Sequence, residues 1–466
     1  MPHSFNPVIL REYDIRGTVG KNLRMEDAAA LGRALGTVVV RAGGKRIAVG
    51  YDGRTHSPDF EKMLVEGLMS TGLTVERIGC GPTPMLYFAT QHLKTDAGIM
   101  VTGSHNPPDQ NGFKMLMNRN LPGGGPIYGQ RIKDMAALAA KDDYAAGQGS
   151  SEEVDIRDHY VAMLLENYKT TKALTIAWDC GNGASGEIVR RITAKLPGKH
   201  ILLYDEIDGR FPNHSPDPSD VKNLADLQAC VKKNKCDLGI AFDGDADRII
   251  AVDGQGRDLM GDVLLAIYAH EILKTHPGAP VVADVKASQV LFDEIARLGG
   301  KPVMWKTGNP LIKAKMIETG APLGGEMSGH ICFRDNHGFD DGIYGAMRLL
   351  TLLGNSDKTL AEWRDAMPRM MEAPEMRFHV DEARKFALVD EVKARLKQAG
   401  AKMIDIDGVR VMTDDGWWLL RASNTDALLV ARAEARSGDG LARLRAQLAG
   451  QLKESGQAMP AASASH

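Results

Sequence analysis

The sequence predicts an α/β protein, with three topologically similar α/β domains of mixed, mostly parallel sheets followed by a smaller C-terminal α+β domain. Three observations lead there. A strand, an Asp turn, an amphipathic helix, a glycine and a second strand recur from Arg46, Thr175 and Pro280. Each repeat is followed by a short apolar strand that runs into a Gly-rich polar loop. After Pro368 this alternation gives way to a different pattern. At 466 residues the chain has room for three or four domains, each able to bury a core.

The first repeat reads Ile47-Ala48-Val49-Gly50-Tyr51-Asp52, then a helix with Ser57 as N-cap and Pro58 in its first turn. Phe60, Met63, Leu64 and Leu68 share one face of that helix, before a strand from Val75. The second runs from Leu174 to Asp179, through a helix around Ile188–Ile192, to Ile201–Tyr204. The third runs from Val281 to Asp284, through Val290–Leu298, to Val303–Lys306. Strands and helices alternating at this spacing build right-handed βαβ units. The remaining region carries strands near Arg377–Val380 and Gly408–Thr413 and a helix from about Gly440 to Lys453. The expected domains are residues 1–150, 151–256, 257–368 and 369–466.

Composition excludes several classes of function. The net charge is −3 with both signs spread along the chain, so no basic field exists for nucleic acid or an anionic membrane. Five cysteines without a Cys-x-x-Cys pair argue against a disulfide frame or a structural zinc. No run of about 18 apolar residues occurs, and the first residues do not resemble a secretory signal. A cytoplasmic protein without membrane or nucleic-acid partners is expected, with a frayed polar tail from Gln457.

Ligands in such sheets bind beyond the carboxyl ends of the strands, so the chemistry is expected in the three loops. Asp243, Asp245 and Asp247 alternate on one short loop, and their carboxylates suit a hard cation, magnesium or calcium. Arg248 and Gly254 stand where an EF-hand needs Gly and Glu, so calcium signalling is excluded. A solvated acidic turn is the plain alternative, but three carboxylates beside an apolar strand repel one another unless a cation compensates.

Ser104 follows an apolar strand within Thr102-Gly103-Ser104-His105-Asn106-Pro107, where amides and polar side chains surround a phosphate. The Gly-x-Ser-x-Gly elbow of serine hydrolases is missing, and on its own Ser104 is only a turn serine. Glu326, Ser328 and His330 offer partners to sugar hydroxyls. Arg421, Ser423, Asn424 and Thr425 suit a dianionic phosphate. Gly181-Asn182-Gly183-Ala184-Ser185-Gly186, with Asp205 about 20 residues on, matches a dinucleotide fingerprint. The equivalent turns at Asp52-Gly53-Arg54 and Asp284-Val285-Lys286 lack it, so it is read as a structural strand-to-helix turn.

Taken together, these residues resemble the α-D-phosphohexomutase family, most closely its bacterial phosphomannomutase/phosphoglucomutase branch. Five markers stand in family order: Tyr13-Asp14-Ile15-Arg16-Gly17, the Ser104 loop with Asn111-Gly112-Phe113-Lys114, and the Asp243–Arg248, Gly325–His330 and Arg421–Thr425 loops. The resemblance implies four domains around a central cleft, with reversible phosphoryl transfer between C1 and C6 of mannose or glucose phosphates. Ser104 would carry the phosphoryl group, and a hexose 1,6-bisphosphate would be intermediate and activator. One magnesium ion would sit on Ser104, Asp243, Asp245 and Asp247. His105, Lys114, Arg16 and Arg248 would assist transfer.

By the same resemblance, substrate would be held by Tyr13, Lys286, Asn309, Glu326, Ser328, His330, Arg421, Ser423, Asn424 and Thr425, in a monomer or weak dimer. Glu326-Met327-Ser328 matches the mannose/glucose branch, whereas the glucosamine branch usually carries Gln in the middle. The branch commonly has Gly-His where this chain has Gly308-Asn309, and Asn cannot relay a proton; Asp426 adds a negative charge after Thr425. The competing readings are a phosphoglucosamine mutase, a metal-dependent phosphatase using Asp243, a nucleotide-binding protein, and a non-enzymatic sugar-phosphate binder.

Overall fold

A computed structural model of the chain describes residues 1–424 and 427–459. The three repeats are three sheets of one design. Arg46–Tyr51 lies parallel between Thr74–Cys80 and Ala97–Val101. Leu174–Asp179 lies parallel between Gly198–Leu203 and Leu238–Phe242. Pro280–Asp284 lies parallel between Lys301–Trp305 and Leu323–Gly325. In each unit the chain then reverses into an antiparallel neighbour: Gln110–Met117, Ile249–Asp253 or Ile331–Phe333. The three chemistry-bearing loops are therefore the same reversal, made three times at the carboxyl end of the third parallel strand.

Helices cover these sheets, so Ala97–Val101 and Leu238–Phe242 are buried at every position, as strands covered on both faces must be. Ile15–Thr18 adds antiparallel to Gln110–Met117 and sets Arg16 opposite Gly112. A Cβ on Gly112 would lie 2.1 Å from the Ile15 carbonyl oxygen, so only glycine lets the two strands approach there.

Three details depart from the sequence expectation. Ser57 is the first helical residue of Ser57–Met69 with His56 at the cap; its hydroxyl donates 2.6 Å to Asp52 Oδ1 instead of accepting from a helix amide. Two helices unmarked in the sequence, Met25–Arg41 and Thr83–His92, also pack in the first unit. Ser150–Glu153 pairs in parallel with Thr74–Arg77, so the chain remains in the first sheet for three residues beyond 150.

The last unit is a five-stranded sheet in the order Met371–His379, Leu428–Ala435, Gly416–Ala422, Val409–Met412 and Met403–Ile404. Its neighbouring strands run antiparallel, and Lys385–Gln398 and Gly438–Glu454 pack on it. One apolar core runs through the first three units, from Met85 and Tyr160 through Trp178 and Ile240 to Tyr268 and Leu350. The fourth unit has its own core around Val392, Trp418 and Leu444. It docks on the third through Arg410, whose guanidinium lies 3.6 Å from the Trp417 ring centroid and donates 2.8 Å to the Val285 and Ala287 carbonyls. No helix among the described residues is long and apolar enough to cross a membrane.

Candidate active site

Ser104 is buried and holds φ at +49°, a conformation uncommon outside glycine that must be imposed by its surroundings. The imposing group is Arg54, itself 1% exposed. Its guanidinium donates to the carbonyls of Ser104 (2.8 Å), Asn106 (2.6 Å), Pro107 (2.6 Å) and Gln110 (2.9 Å), and to Asp52 (3.2 Å). Asp52 in turn accepts from the Gly103 amide at 3.1 Å and the Thr102 hydroxyl at 2.9 Å. Sequence reasoning does not assign Arg54 a role, although the Asp that closes each repeat strand was a signal. Asp284, the equivalent of Asp52, accepts from the Met327 amide of the Gly325–His330 loop at 3.1 Å.

A lysine cannot reproduce five donors in a plane. Arg54→Lys is expected to destabilise the protein by about 3 kcal/mol, since each buried acceptor left unpaired costs roughly 1–3 kcal/mol. Turnover should fall more than substrate affinity does. Urea melts together with kcat and KM check both effects.

Asp243, Asp245 and Asp247 are fully buried, and their candidate ligand oxygens all lie within 4.8 Å of one another. Ser104 Oγ donates 2.9 Å to Asp243 Oδ2. Lys114 Nζ donates 2.7 Å to Asp245 Oδ2 and also reaches Asp247 Oδ2, and Thr83 Oγ1 adds a donor to Asp245. Burial opposes the charge on Asp245, but Lys114 outweighs it and holds that carboxyl well below the usual range. Asp243 has no ammonium in contact, so burial and the charges of Asp247 and Asp245 push it well up. Asp245 Oδ1 is buried and has no hydrogen-bond partner among the described residues. Three converging carboxylates with an unpaired oxygen, beside a serine hydroxyl, fit a hard divalent cation.

His105 Nδ1 lies 3.3 Å from Ser104 Oγ. Burial, with Arg248, Arg16 and Lys114 around it, pushes His105 well below the ordinary imidazole value, so the ring is neutral. Arg16 Nη1 donates 2.7 Å to Asn106 Oδ1. The Arg248 amide donates 3.1 Å to Asp243 Oδ1, and its Nε donates 3.1 Å to His330 Nε2. His330 Nδ1 stands 3.0 Å from Asp340 Oδ2, and Asp340 also receives Lys313 and Asn309. Asn309 therefore serves as a donor to a buried carboxylate. Asp340 and Lys313 were also beyond sequence reasoning, being single charged residues outside any motif.

Tyr13 ties three units together. Its hydroxyl donates 2.7 Å to the Thr307 carbonyl and accepts 2.6 Å from Asn424 Nδ2. Gly308 holds φ at +133°, and a Cβ there would stand 2.5 Å from the Tyr13 ring, so the glycine is needed twice over. The Gly308 amide donates 2.7 Å to Glu326 Oε1. Lys286 Nζ lies 3.1 Å from Glu375, and Arg421 Nε 3.0 Å from Asp407.

These groups enclose a cavity of about 270 Å³. Tyr13, Arg16, Ser104, His105 and Lys114 line it from the first unit, and Asp247 and Arg248 from the second. Lys286, Asn309, Glu326, Ser328 and His330 line it from the third, and Arg421 and Ser423 from the fourth. Asp243 and Asp245 lie beneath its floor, and Asn424 reaches it through Tyr13. Thr425 lies outside the described residues.

The Gly181–Gly186 turn braces the acidic loop: the Ala184 amide donates 2.9 Å to the Gly244 carbonyl, and Asp205 pairs with Arg190. A strap without helix or strand, residues 204–220, touches both Arg54 and the Asp243–Arg248 loop. Phe211 packs against Arg54, and the Pro216 carbonyl accepts from the Gly244 amide at 3.2 Å. His214 anchors it at 3.2 Å from Asp179. Burial disfavours the imidazolium, but the hydrogen bond and charge of Asp179 prevail, and His214 is raised above its ordinary value. That anchor is complete below the ordinary imidazole value and is lost as pH rises through the raised one. Amides 208–216 are expected to exchange faster at pH 9 than at pH 6, beyond the intrinsic rate change, and His214→Gln should abolish the difference.

Comparison with known proteins gives four matches in chain order. They are the models for phosphoglucomutase/phosphomannomutase alpha/beta/alpha domain I at residues 7–143, domain II at 158–256, domain III at 260–370 and the C-terminal domain at 375–451. A phosphomannomutase/phosphoglucomutase of Pseudomonas aeruginosa is 42% identical over 453 residues, covering 97% of each chain. A phosphoglucomutase of Neisseria gonorrhoeae is 40% identical, covering 94% of this chain and 95% of its own. A crystal structure of a phosphoglucomutase/phosphomannomutase family protein from Burkholderia thailandensis superposes with a TM-score of 0.90 at 38% identity, over 98% of this chain and 99% of that one. With every domain matched in order and relatives near 40% identity along almost its whole length, this chain belongs to the phosphoglucomutase/phosphomannomutase family of α-D-phosphohexomutases.

Proposed function

We propose that the chain interconverts the 1- and 6-phosphates of mannose or glucose through a phosphorylated Ser104. The observation that carries this is Ser104 Oγ, bonded to Asp243 at the floor of a cavity that all four units line. In the forward half, the phosphorus–oxygen bond to Ser104 Oγ breaks as one forms to the free sugar hydroxyl, giving a hexose 1,6-bisphosphate. The proton of that hydroxyl passes to a neighbouring base. His105 suits this role, being neutral and adjacent to Oγ. In the second half the sugar has turned, and the other phosphate returns to Ser104 while the proton goes back.

Lys114, Arg16 and Arg248 offset charge on the transferring group, where most of the stabilisation in such transfers arises. Asp243, Asp245, Asp247 and Ser104 would hold the divalent cation, which when bound supplies Lewis-acid polarisation of the phosphoryl oxygens. Glu326 and Ser328 face the sugar. Arg421, Ser423 and Asn424 grip the idle phosphate, so that either end of the sugar can face Ser104. A sugar phosphate filling the cavity that four units line would displace water, which would otherwise hydrolyse the phosphoserine. Both Asp243 oxygens are engaged, by Ser104 and by the Arg248 amide, which disfavours Asp243 as a phosphatase nucleophile.

A coupled mutase assay over glucose, mannose and glucosamine 1-phosphates, with magnesium and a trace of 1,6-bisphosphate, tests the proposal. Turnover of mannose or glucose 1-phosphate well above that of glucosamine 1-phosphate is expected. Equal inactivity with all three would overturn it.

A further inference from the structure

A second cavity, about 530 Å³ against 270 Å³ for the catalytic one, opens between the first and third units. Tyr87, Met115, Pro126 and Lys313 form the partition between the two. None of Ser104, the three aspartates, the sugar-loop residues or the Arg421 loop lines it. Its floor is apolar, with Leu116, Met117 and Met316 buried and Phe339 stacked on Tyr87 at 4.9 Å between centroids.

The charge in this cavity is one-sided. Arg119, Lys313 and Arg334 line it, and no aspartate or glutamate does, although the chain as a whole carries −3. Lys313 pairs with Asp340 behind the wall. Arg119 and Arg334 have no carboxylate partner among the described residues and meet only carbonyls, Arg119 that of His337 at 3.2 Å and Arg334 that of Gly320 at 2.8 Å. The Arg119 contact joins the first unit to the third across the mouth. Arg119 and Arg334 are both exposed, which leaves their guanidiniums open to a ligand from solvent.

We propose that this cavity is a second ligand site, for an anion of nucleoside diphosphate class. Its phosphates meet the Arg119 and Arg334 guanidiniums, and its planar body lies against Phe339 and the methionines. The volume falls in the range of small-molecule sites and is twice that of the cavity read as holding a hexose phosphate. Unpaired guanidiniums supply the forked donors that phosphates take up. An aromatic wall with thioethers beside it takes a flat apolar ring. The proposal does not depend on the mutase reading, because the two cavities share only their partition.

Calorimetric titration of the full chain with ADP tests it. One saturable site is expected, weakened about tenfold or more in Arg119→Ser/Arg334→Ser by loss of the charge-assisted bonds. Ile317→Trp, which fills the cavity from an exposed position and removes no charge, should weaken it similarly. Arg421→Ala, in the catalytic cavity, should leave it within about twofold. Pyrophosphate, which lacks the planar body, should bind at least about tenfold more weakly than ADP. Thermal melts confirm that the variants fold. The proposal is overturned by absence of saturable binding at millimolar ADP, by affinity unchanged in the double arginine variant or in Ile317→Trp, by an equal loss in Arg421→Ala, or by pyrophosphate binding as tightly as ADP.

Discussion

Ser104→Ala should lower turnover of mannose 1-phosphate by about 10⁴-fold or more, the scale seen when a covalent nucleophile is removed. The fold should survive, because what holds position 104 at φ +49° is Arg54 on its carbonyl and Thr102 on its amide. Neither bond involves the side chain. The substitution deletes one oxygen, and with it the donor to Asp243. Intact mass then separates chemistry from folding. The purified wild-type protein should carry one phosphoryl group more than the variant, while melting temperatures stay within a few degrees. Normal turnover by the variant would refute phosphoserine as the carrier.

Asp243→Asn should reduce magnesium-dependent turnover by roughly 10²–10³-fold, the range seen when one preorganised charge-stabilising group is removed. Its effect on stability should run the other way. Asp243 is raised well above the usual carboxylate range by burial and by Asp247 and Asp245. A carboxyl raised on folding contributes fully to the folded state below its unfolded value of about 3.9, and that contribution is lost as pH climbs through the folded value. Metal-free wild type should therefore lose stability relative to the variant as pH rises above about 4. Added magnesium reverses the order: a ligand at 100 times its dissociation constant adds about 2.7 kcal/mol to whatever binds it, and the variant should gain little of that. Melts with EDTA and with magnesium, across pH, read both effects apart from activity. Equal stabilisation of both proteins by magnesium would place the cation elsewhere.

The readable part of this site was the part written locally. Ser104, the Asp243–Arg248 turn and the Gly325–His330 turn each follow an apolar strand directly, so their place in the fold could be read from period and position, while the roles expected of them came from the family resemblance. Arg54 was not readable as a hub, because its acceptors are backbone carbonyls 50 to 56 residues away, which leave no side-chain signature. Asp340 and Lys313 meet only when the third sheet folds. The strand Ser150–Glu153 is exposed throughout, so no apolar alternation marked it and the boundary at 150 fell short of it. Ser57 had the spacing of a cap, but a carboxylate five residues earlier made a stronger partner than a helix amide.

The distribution of the apolar core bears on how the molecule comes apart. One apolar cluster spans the first three units, beside a second that lies wholly in the first, so a cut near residue 256 would leave Trp178, Ile240 and Tyr344 facing water, and fragments ending there should aggregate. A cut near 370 spares the large cores and crosses the linker, the small cluster of Val285, Trp417 and Leu419, and polar contacts such as those of Arg410, Lys286 and Tyr13. Calorimetry should therefore record the fourth unit melting apart from the rest, with residues 371–459 refolding as an isolated domain.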